Sequence, residues 1–247
     1  MVPYTIILPT IYGQVLVNRH DINQTRYLLE YGHPVDHQEI ESIAQFIEPG
    51  TAAIDVGACF GLWTLGFAKR AVAVYTFEPQ RMLYNSICGT LALNSVENVF
   101  TFNWAVGEQV GVAEIPKPDY HKQSQFGGVP LVHSPAKCNI GQETASVESV
   151  HLATLDSLKF PPISLVKIDA EGLDLDVIRG AENTIKEHRP VVYFETLYLE
   201  EQAFRDFFSP LNYACVKNND NMLAVPTEKY TVRTNAEGKP EIDRKVA

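Results

Sequence analysis

The chain has 247 residues, 45% of them apolar and 20% charged, with 20 Lys and Arg against 30 Asp and Glu and a formal net charge of −10. A soluble chain this long buries roughly 70–75% of the surface its unfolded form exposes, which excludes global disorder and removes the need for a disulfide framework or structural metal. The acidic balance argues against a general nucleic-acid or anionic-membrane binder, since both recruit phosphate with basic surface.

The opening stretch lacks a basic leader and is broken by Pro3, Pro9 and Gly13, so it fits neither a signal peptide nor a membrane span. Residues 4–8 and 14–17 read instead as a hairpin. Ile40, Ile43, Ala44 and Ile47 mark a helix over 37–48, ended by Pro49-Gly50. Hairpin and helix form a preface, residues 1–50, to a main domain over 51–226.

Within that domain apolar runs alternate with helical patterns. Strands are expected at 52–56, 72–77, 99–105, 165–168 and 191–194, with helices at 61–70, 82–94 and 174–189. Strands apolar on both faces and separated by helices imply an α/β fold with a parallel sheet covered on both sides. The stretch 107–150, with Pro116, Pro118, Gly127-Gly128, Pro130 and Pro135, interrupts the alternation and reads as an irregular insertion that forms a lid or acceptor-binding region. A helix at 199–208 and strands near 213–216 and 221–225 close the domain, leaving 227–247 as a peripheral tail. The four cysteines, Cys59, Cys88, Cys138 and Cys215, form no Cys-x-x-Cys pair and read as reduced thiols of a cytoplasmic protein.

The most informative segment is Ile54-Asp55-Val56-Gly57-Ala58-Cys59-Phe60-Gly61, a strand entering a glycine turn and a helix. Cys59 stands where the dinucleotide fingerprint needs a glycine, and no Gly-Lys-Ser/Thr follows, which counts against NAD and ATP. Asp55 inside the turn repels phosphate and suits a cation. Glu78 ends the next strand, about 20 residues on, where a carboxylate accepts hydrogen bonds from both hydroxyls of a ribose. A ligand with a ribose, a positive charge and no phosphate is S-adenosylmethionine. The alternative is a tight β-to-α turn beside a solvated Glu.

At the end of a later strand lie Lys167-Ile168-Asp169-Ala170-Glu171-Gly172, and Glu195 follows residues 191–194. In open α/β sheets that edge holds the ligand crevice. Asp169, Glu171 and Glu195 are therefore candidates for a general base, for a metal site or for anchors of acceptor hydroxyls; alternatively Asp169 caps the next helix and Glu171 faces solvent. His121 and His133 are further candidate bases from the 107–150 stretch. Trp104 is placed to stack on an adenine ring.

Together these motifs, with Thr76-Phe77-Glu78-Pro79, Asn103-Trp104-Ala105-Val106-Gly107 and Arg189-Pro190, resemble the FkbM-type methyltransferases of the class I S-adenosylmethionine-dependent superfamily over about residues 12–225. The resemblance implies a Rossmann-like, seven-stranded, mostly parallel sheet with an antiparallel last strand. It implies that Asp55 and Gly57 hold the methionine end of the cofactor, that Glu78 holds the ribose and that Asn103, Trp104 and Ala105 flank the adenine, with Ala58, Cys59, Pro79 and Asp169 as further cofactor-binding residues. Two departures stand out: the family usually has Asn at the position of Cys59 and Glu at that of Asp174.

The activity implied is O-methylation of a hydroxyl on a sugar, polyketide or other natural-product scaffold, with no nucleic-acid or membrane partner. An alcohol ionises about as reluctantly as water, pKa roughly 15.7, so a divalent metal (Mg) held by Asp169, Glu171 and Glu195 is left open beside a simple base. N- or carboxyl-methylation on the same fold, a non-catalytic S-adenosylmethionine-binding module and a NAD-linked oxidoreductase remain as alternatives.

Overall fold

The computed structural model describes residues 2–134, 136, 142, 146–235 and 240–245. The chain opens with strands β1 (Thr5–Thr10) and β2 (Gly13–Asn18), paired antiparallel as expected. Helix α1 (Gln24–Tyr31), which the sequence pattern did not suggest, buries only Thr25 and Leu28. The expected second helix is α2 (His37–Ile43), tightened into a 3-10 turn over Ala44–Phe46. Its predicted stripe of Ile40, Ile43, Ala44 and Ile47 is buried throughout.

The core follows as β3 (Ala52–Val56), α3 (Leu62–Ala68), β4 (Val74–Phe77), α4 (Arg81–Leu93), β5 (Val99–Phe102), β6 (Trp104–Val106), β7 (Gly111–Pro116), β8 (Val147–Ala153) and β9 (Ile163–Ile168). It continues with α5 (Asp174–Arg179), α6 (Glu182–His188), β10 (Val191–Glu195), α7 (Glu201–Phe208), β11 (Tyr213–Asn218) and β12 (Asn221–Pro226). Strands β13 (Tyr230–Thr234) and β14 (Pro240–Arg244) end it.

Seven strands form one sheet in the order β11-β12-β10-β9-β3-β4-β5. Neighbours from β10 to β5 pair in parallel, and β12 runs antiparallel to β10 and β11. Every residue of β3 and β9 is buried, the mark of a sheet covered on both faces. On one face Ala53 and Leu165 pack with Ile40, Leu65, Phe67, Leu83 and Ile87; on the other Ile54, Val166 and Ile168 pack with Ile178, Ile185, Phe204 and Phe208.

Four segments depart from the sequence reading. The strand expected over 99–105 divides at Asn103, whose Nδ2 donates to the carbonyls of Glu78 and Pro79, each at 2.9 Å. Beyond it β6 leaves the main sheet and pairs in parallel with β8 in a separate sheet of order β6-β8-β7. Part of the 107–150 stretch is thus regular β structure. The helix expected over 174–189 breaks at Gly180, where any Cβ would collide with the carbonyl oxygen of Gly107. Asp156 then caps the second half, accepting from the backbone N–H groups of Asn183 (2.9 Å) and Thr184 (2.7 Å). In the tail, β13 and β14 form a hairpin with Tyr230 buried, and Lys229 and Arg244 pair with Glu48 at 3.6 and 3.1 Å. Cys59, Cys88 and Cys215 are free thiols, while Cys138 and Pro135 lie outside the described residues. Among those described, no helix is long and apolar enough to cross a membrane.

The carboxyl ends of β3 and β9 are joined by one side chain. Lys167 Nζ donates to the carbonyls of Val56 (3.3 Å) and Gly57 (2.9 Å) and pairs with Asp55 Oδ1 at 3.3 Å. Asp55 Oδ2 accepts from Thr64 Oγ1 at 2.6 Å. Burial opposes the ammonium, but Asp55 and then Asp169 outweigh it, and the net effect raises the Lys167 pKa. Lys167→Met is expected to cost about 3–5 kcal/mol, because it strands the Asp55 charge in the core. Urea unfolding of the variant beside the parent measures this.

Candidate functional site

The order of the central strands reverses between β3 and β9, and there the sheet opens a cavity of about 230 Å³. Such switch points are where open α/β sheets bind ligands. Residues at and just after the ends of β3 and β4, residues after β9, the last residue of β10 and residues of β6 contribute to its walls.

The turn after β3 gives the backbone wall. Gly57 has φ +73°, and a Cβ there would collide with the Asp169 carbonyl oxygen, so only glycine lets the two loops touch. Cys59 is also left-handed, at φ 53°, an unusual conformation for a residue with a Cβ. That conformation points its N–H at Glu78 Oε2, 2.8 Å away. Burial, then Asp21 and Glu78, raises the Cys59 thiol pKa, which favours the neutral thiol over the thiolate.

Glu78 is 4% exposed. Its second oxygen accepts from the Gln80 N–H at 2.8 Å, so two backbone donors fix the carboxylate at the cavity wall. Burial still pushes its pKa up to about 8. Gln80 in turn donates through Nε2 to the Phe126 carbonyl at 2.7 Å, tying the end of β4 to the 107–150 stretch.

Asp169, Glu171 and Glu195 line the same cavity. They differ in their partners. Asp169 pairs with Lys167 at 3.7 Å. Glu171 Oε2 accepts from the Tyr198 hydroxyl at 3.4 Å. Glu195 Oε2 is buried and receives no hydrogen bond among the described residues. Burial, then Asp169, pushes Glu195 up to about 8, and the same causes raise Glu171. Asp174, 2% exposed, is pushed up to about 7 by burial and then Asp169. Among the described residues no group of three or more His, Cys, Asp or Glu is arranged to hold a metal ion, so the three carboxylates share a cleft without forming such a set.

Of the residues read from the sequence as site residues, Gly57, Cys59, Glu78, Pro79, Trp104, Ala105, Asp169, Glu171 and Glu195 line the cavity. Asp55, Ala58 and Asn103 are not among its lining residues. Asp55 is fully buried against Lys167 and Thr64, and Asn103 braces the Glu78-Pro79 turn. Trp104 reaches the cavity while packing on Phe102 and His151, with ring centroids 4.8 Å away in each case. His121 packs edge-on against Tyr4, and neither it nor His133 lines the cavity.

The sequence reading missed Asn23 and Gln24 from the N-terminal segment and Gln125, Gly127, Val129 and Leu131 from the 107–150 stretch. The two segments meet because Asp21, 4% exposed, accepts from the N–H groups of Thr25 (2.9 Å) and Phe126 (3.2 Å). The available signal was Asp21-x-Asn23, a short polar turn ahead of a helix.

Residues 55–225 match the family model of the methyltransferase FkbM domain. The chain belongs to the FkbM methyltransferase family. No curated protein matches the sequence. Among solved structures, the FkbM methyltransferase of Methylobacillus flagellatus KT is 17% identical with a TM-score of 0.48, covering 71% of this chain and 43% of that one. Trm5b of Pyrococcus abyssi is 10% identical with a TM-score of 0.51, covering 91% and 56%. TYW2 of M. jannaschii, in complex with AdoMet, is 13% identical with a TM-score of 0.45, covering 99% and 89%. At these identities the likeness is one of fold, and the chain spans less than two thirds of the first two proteins. This chain has the expected Rossmann-like, mostly parallel seven-stranded sheet, with its antiparallel strand β12.

Two outcomes follow for the FkbM protein without ligand. Glu78, Glu195, Glu171 and Asp174 keep protons in the folded state that the unfolded chain releases above about pH 4–5. Their contribution to stability is complete below that range and is lost as pH rises through 7 to 8. Melting temperatures are therefore expected to fall between pH 5 and pH 8.5, as differential scanning calorimetry will record. Cys59→Asn, which suits a left-handed residue better, is expected to raise stability by about 0.5–1 kcal/mol, measured by urea unfolding.

Proposed function

We propose that the protein is an S-adenosylmethionine-dependent methyltransferase that methylates a hydroxyl group on a sugar, polyketide or other natural-product scaffold. Family membership supports methyl transfer, and the observation that carries the cofactor reading is Glu78. A carboxylate fixed by two backbone N–H groups in a phosphate-repelling cleft is suited to accept from a ribose diol. Gly57 and Cys59 offer backbone close by, Trp104 and Ala105 suit an adenine, and Asp169 supplies negative charge for a cation.

When bound, S-adenosylmethionine supplies an electrophilic methyl group on a sulfonium. The chain's own work is positional, because in-line displacement demands near-attack geometry. Asp169 and Glu171 orient the acceptor hydroxyl. Glu195, with one oxygen free of protein partners among the described residues, is suited to take the hydroxyl proton in its ionised form, which burial makes dominant only above about pH 8. The neighbouring amides of Gln24 and Gln125 suit a polar acceptor.

Calorimetric titration with S-adenosylmethionine, with NAD as the comparison, tests the reading. The expected result is micromolar binding, about −8 kcal/mol, weakened at least tenfold in Glu78→Gln, and no binding of NAD. Absent binding, or equal binding by the variant, overturns the cofactor assignment. Hydroxyl, amine and carboxylate acceptors screened with the same protein then separate O-methylation from its alternatives.

A further inference from the structure

Glu171 owes its position to two residues that do not line the cavity. It is left-handed, at φ 49°, which costs a residue with a Cβ free energy unless its surroundings impose it. Asp174 imposes it from below, accepting from the N–H of Ala170 at 3.2 Å and of Gly172 at 3.3 Å, the residues on either side of Glu171. Ser134 imposes it from above, donating its hydroxyl to the Glu171 carbonyl at 2.5 Å. Ser134 is itself held, its N–H on the Leu131 carbonyl at 2.9 Å and its Oγ accepting from Ala136 at 3.1 Å. Just upstream, the Val132 N–H donates to the Glu114 carbonyl of β7 at 2.8 Å.

We propose that Ser134 and Asp174 are positioning residues that clamp the backbone of Glu171 and so turn its carboxylate into the cleft beside Asp169 and Glu195. The acid cluster is then complete only when the turn at 131–134 is docked, and the wall formed by Val129 and Leu131 is coupled to the acid that meets the acceptor. The role of Glu171 toward an acceptor rests on the function proposed above. The clamp itself does not.

The test reads the clamp without an acceptor. Protein labelled with carbon-13 at glutamate carboxyls is titrated by NMR, with Glu171 assigned through Glu171→Gln and Glu78 serving as an internal reference. The groups facing the Glu171 carboxylate are Asp169, Asp174, Glu195 and Tyr198. Ser134→Ala leaves all four in place, so any change it causes reports position.

In the parent, Glu171 is expected to titrate well above the ordinary glutamate range. Ser134→Ala is expected to move it toward that range while Glu78 keeps its midpoint. A Glu171 midpoint unchanged in Ser134→Ala overturns the clamp. So does a Glu78 midpoint that moves together with that of Glu171, which marks a general loosening of the fold. Titration of each variant with S-adenosylmethionine separates the two readings: loss of binding in the parent sinks the cofactor assignment and leaves the clamp standing.

Discussion

The fold turns on the position of one ammonium group. Lys167 lies where β9 meets β3, and its single charge reaches Asp55, two carbonyls of the glycine turn and, more distantly, Asp169. Parallel strands have no hairpin to fix their relative height, so something must register their ends where the loops diverge. Here a buried cation does so, and the same loops form the cleft. Asp55 therefore belongs to the foundation of the site. Its charge keeps Lys167 ionised, and Lys167 keeps Gly57 against Asp169.

Around that anchor the cleft departs from what stability alone would select. Four carboxyl groups hold protons at pH values where solvent-exposed acids have none, and Cys59 and Glu171 occupy backbone conformations unfavourable to side chains. Three of the four carboxyl groups have a local restraint, two amides on Glu78, two amides on Asp174 and a tyrosine hydroxyl on Glu171, while Glu195 Oε2 receives no hydrogen bond among the described residues. Such concentrations of strain and shifted protonation are typical of sites that act on a ligand.

The parallel core was legible because its signal is local. The runs at 52–56 and 191–194 are apolar on both faces, and the Ile40–Ile47 stripe has helical spacing. The breaks at Asn103 and Gly180 were not legible, because each depends on a contact far along the chain, with the Glu78-Pro79 turn and with Gly107. The site shows the same division. Glu78, Asp169, Glu171 and Glu195 lie at or within three residues of the ends of core strands, and strand ends can be counted from the sequence. Gln24 and Gln125 reach the cleft only because Asp21 bonds to Phe126 across more than a hundred residues, a pairing that leaves no periodicity. Asp55 lies in the expected strand, but its contacts with Lys167 and Thr64 lie far along the chain or across the turn, and a motif gives a position and not a direction.

The bond between Asp21 and Phe126 also bears on how the protein can be altered. Asp21 and Ser124 form a β-bridge, the N–H of Ile22 donates to the Ser124 carbonyl, and the N–H of Ser124 donates to the His20 carbonyl. This wall of the cleft is thus a seam between two stretches of chain, each supplying backbone that the other needs. Grafting either stretch alone from a relative would leave donors and acceptors without mates and misplace Gln24 against Gln125. A chimera at this wall must carry both halves of the seam together, so the unit of inheritance there is a pair of distant segments and not a loop.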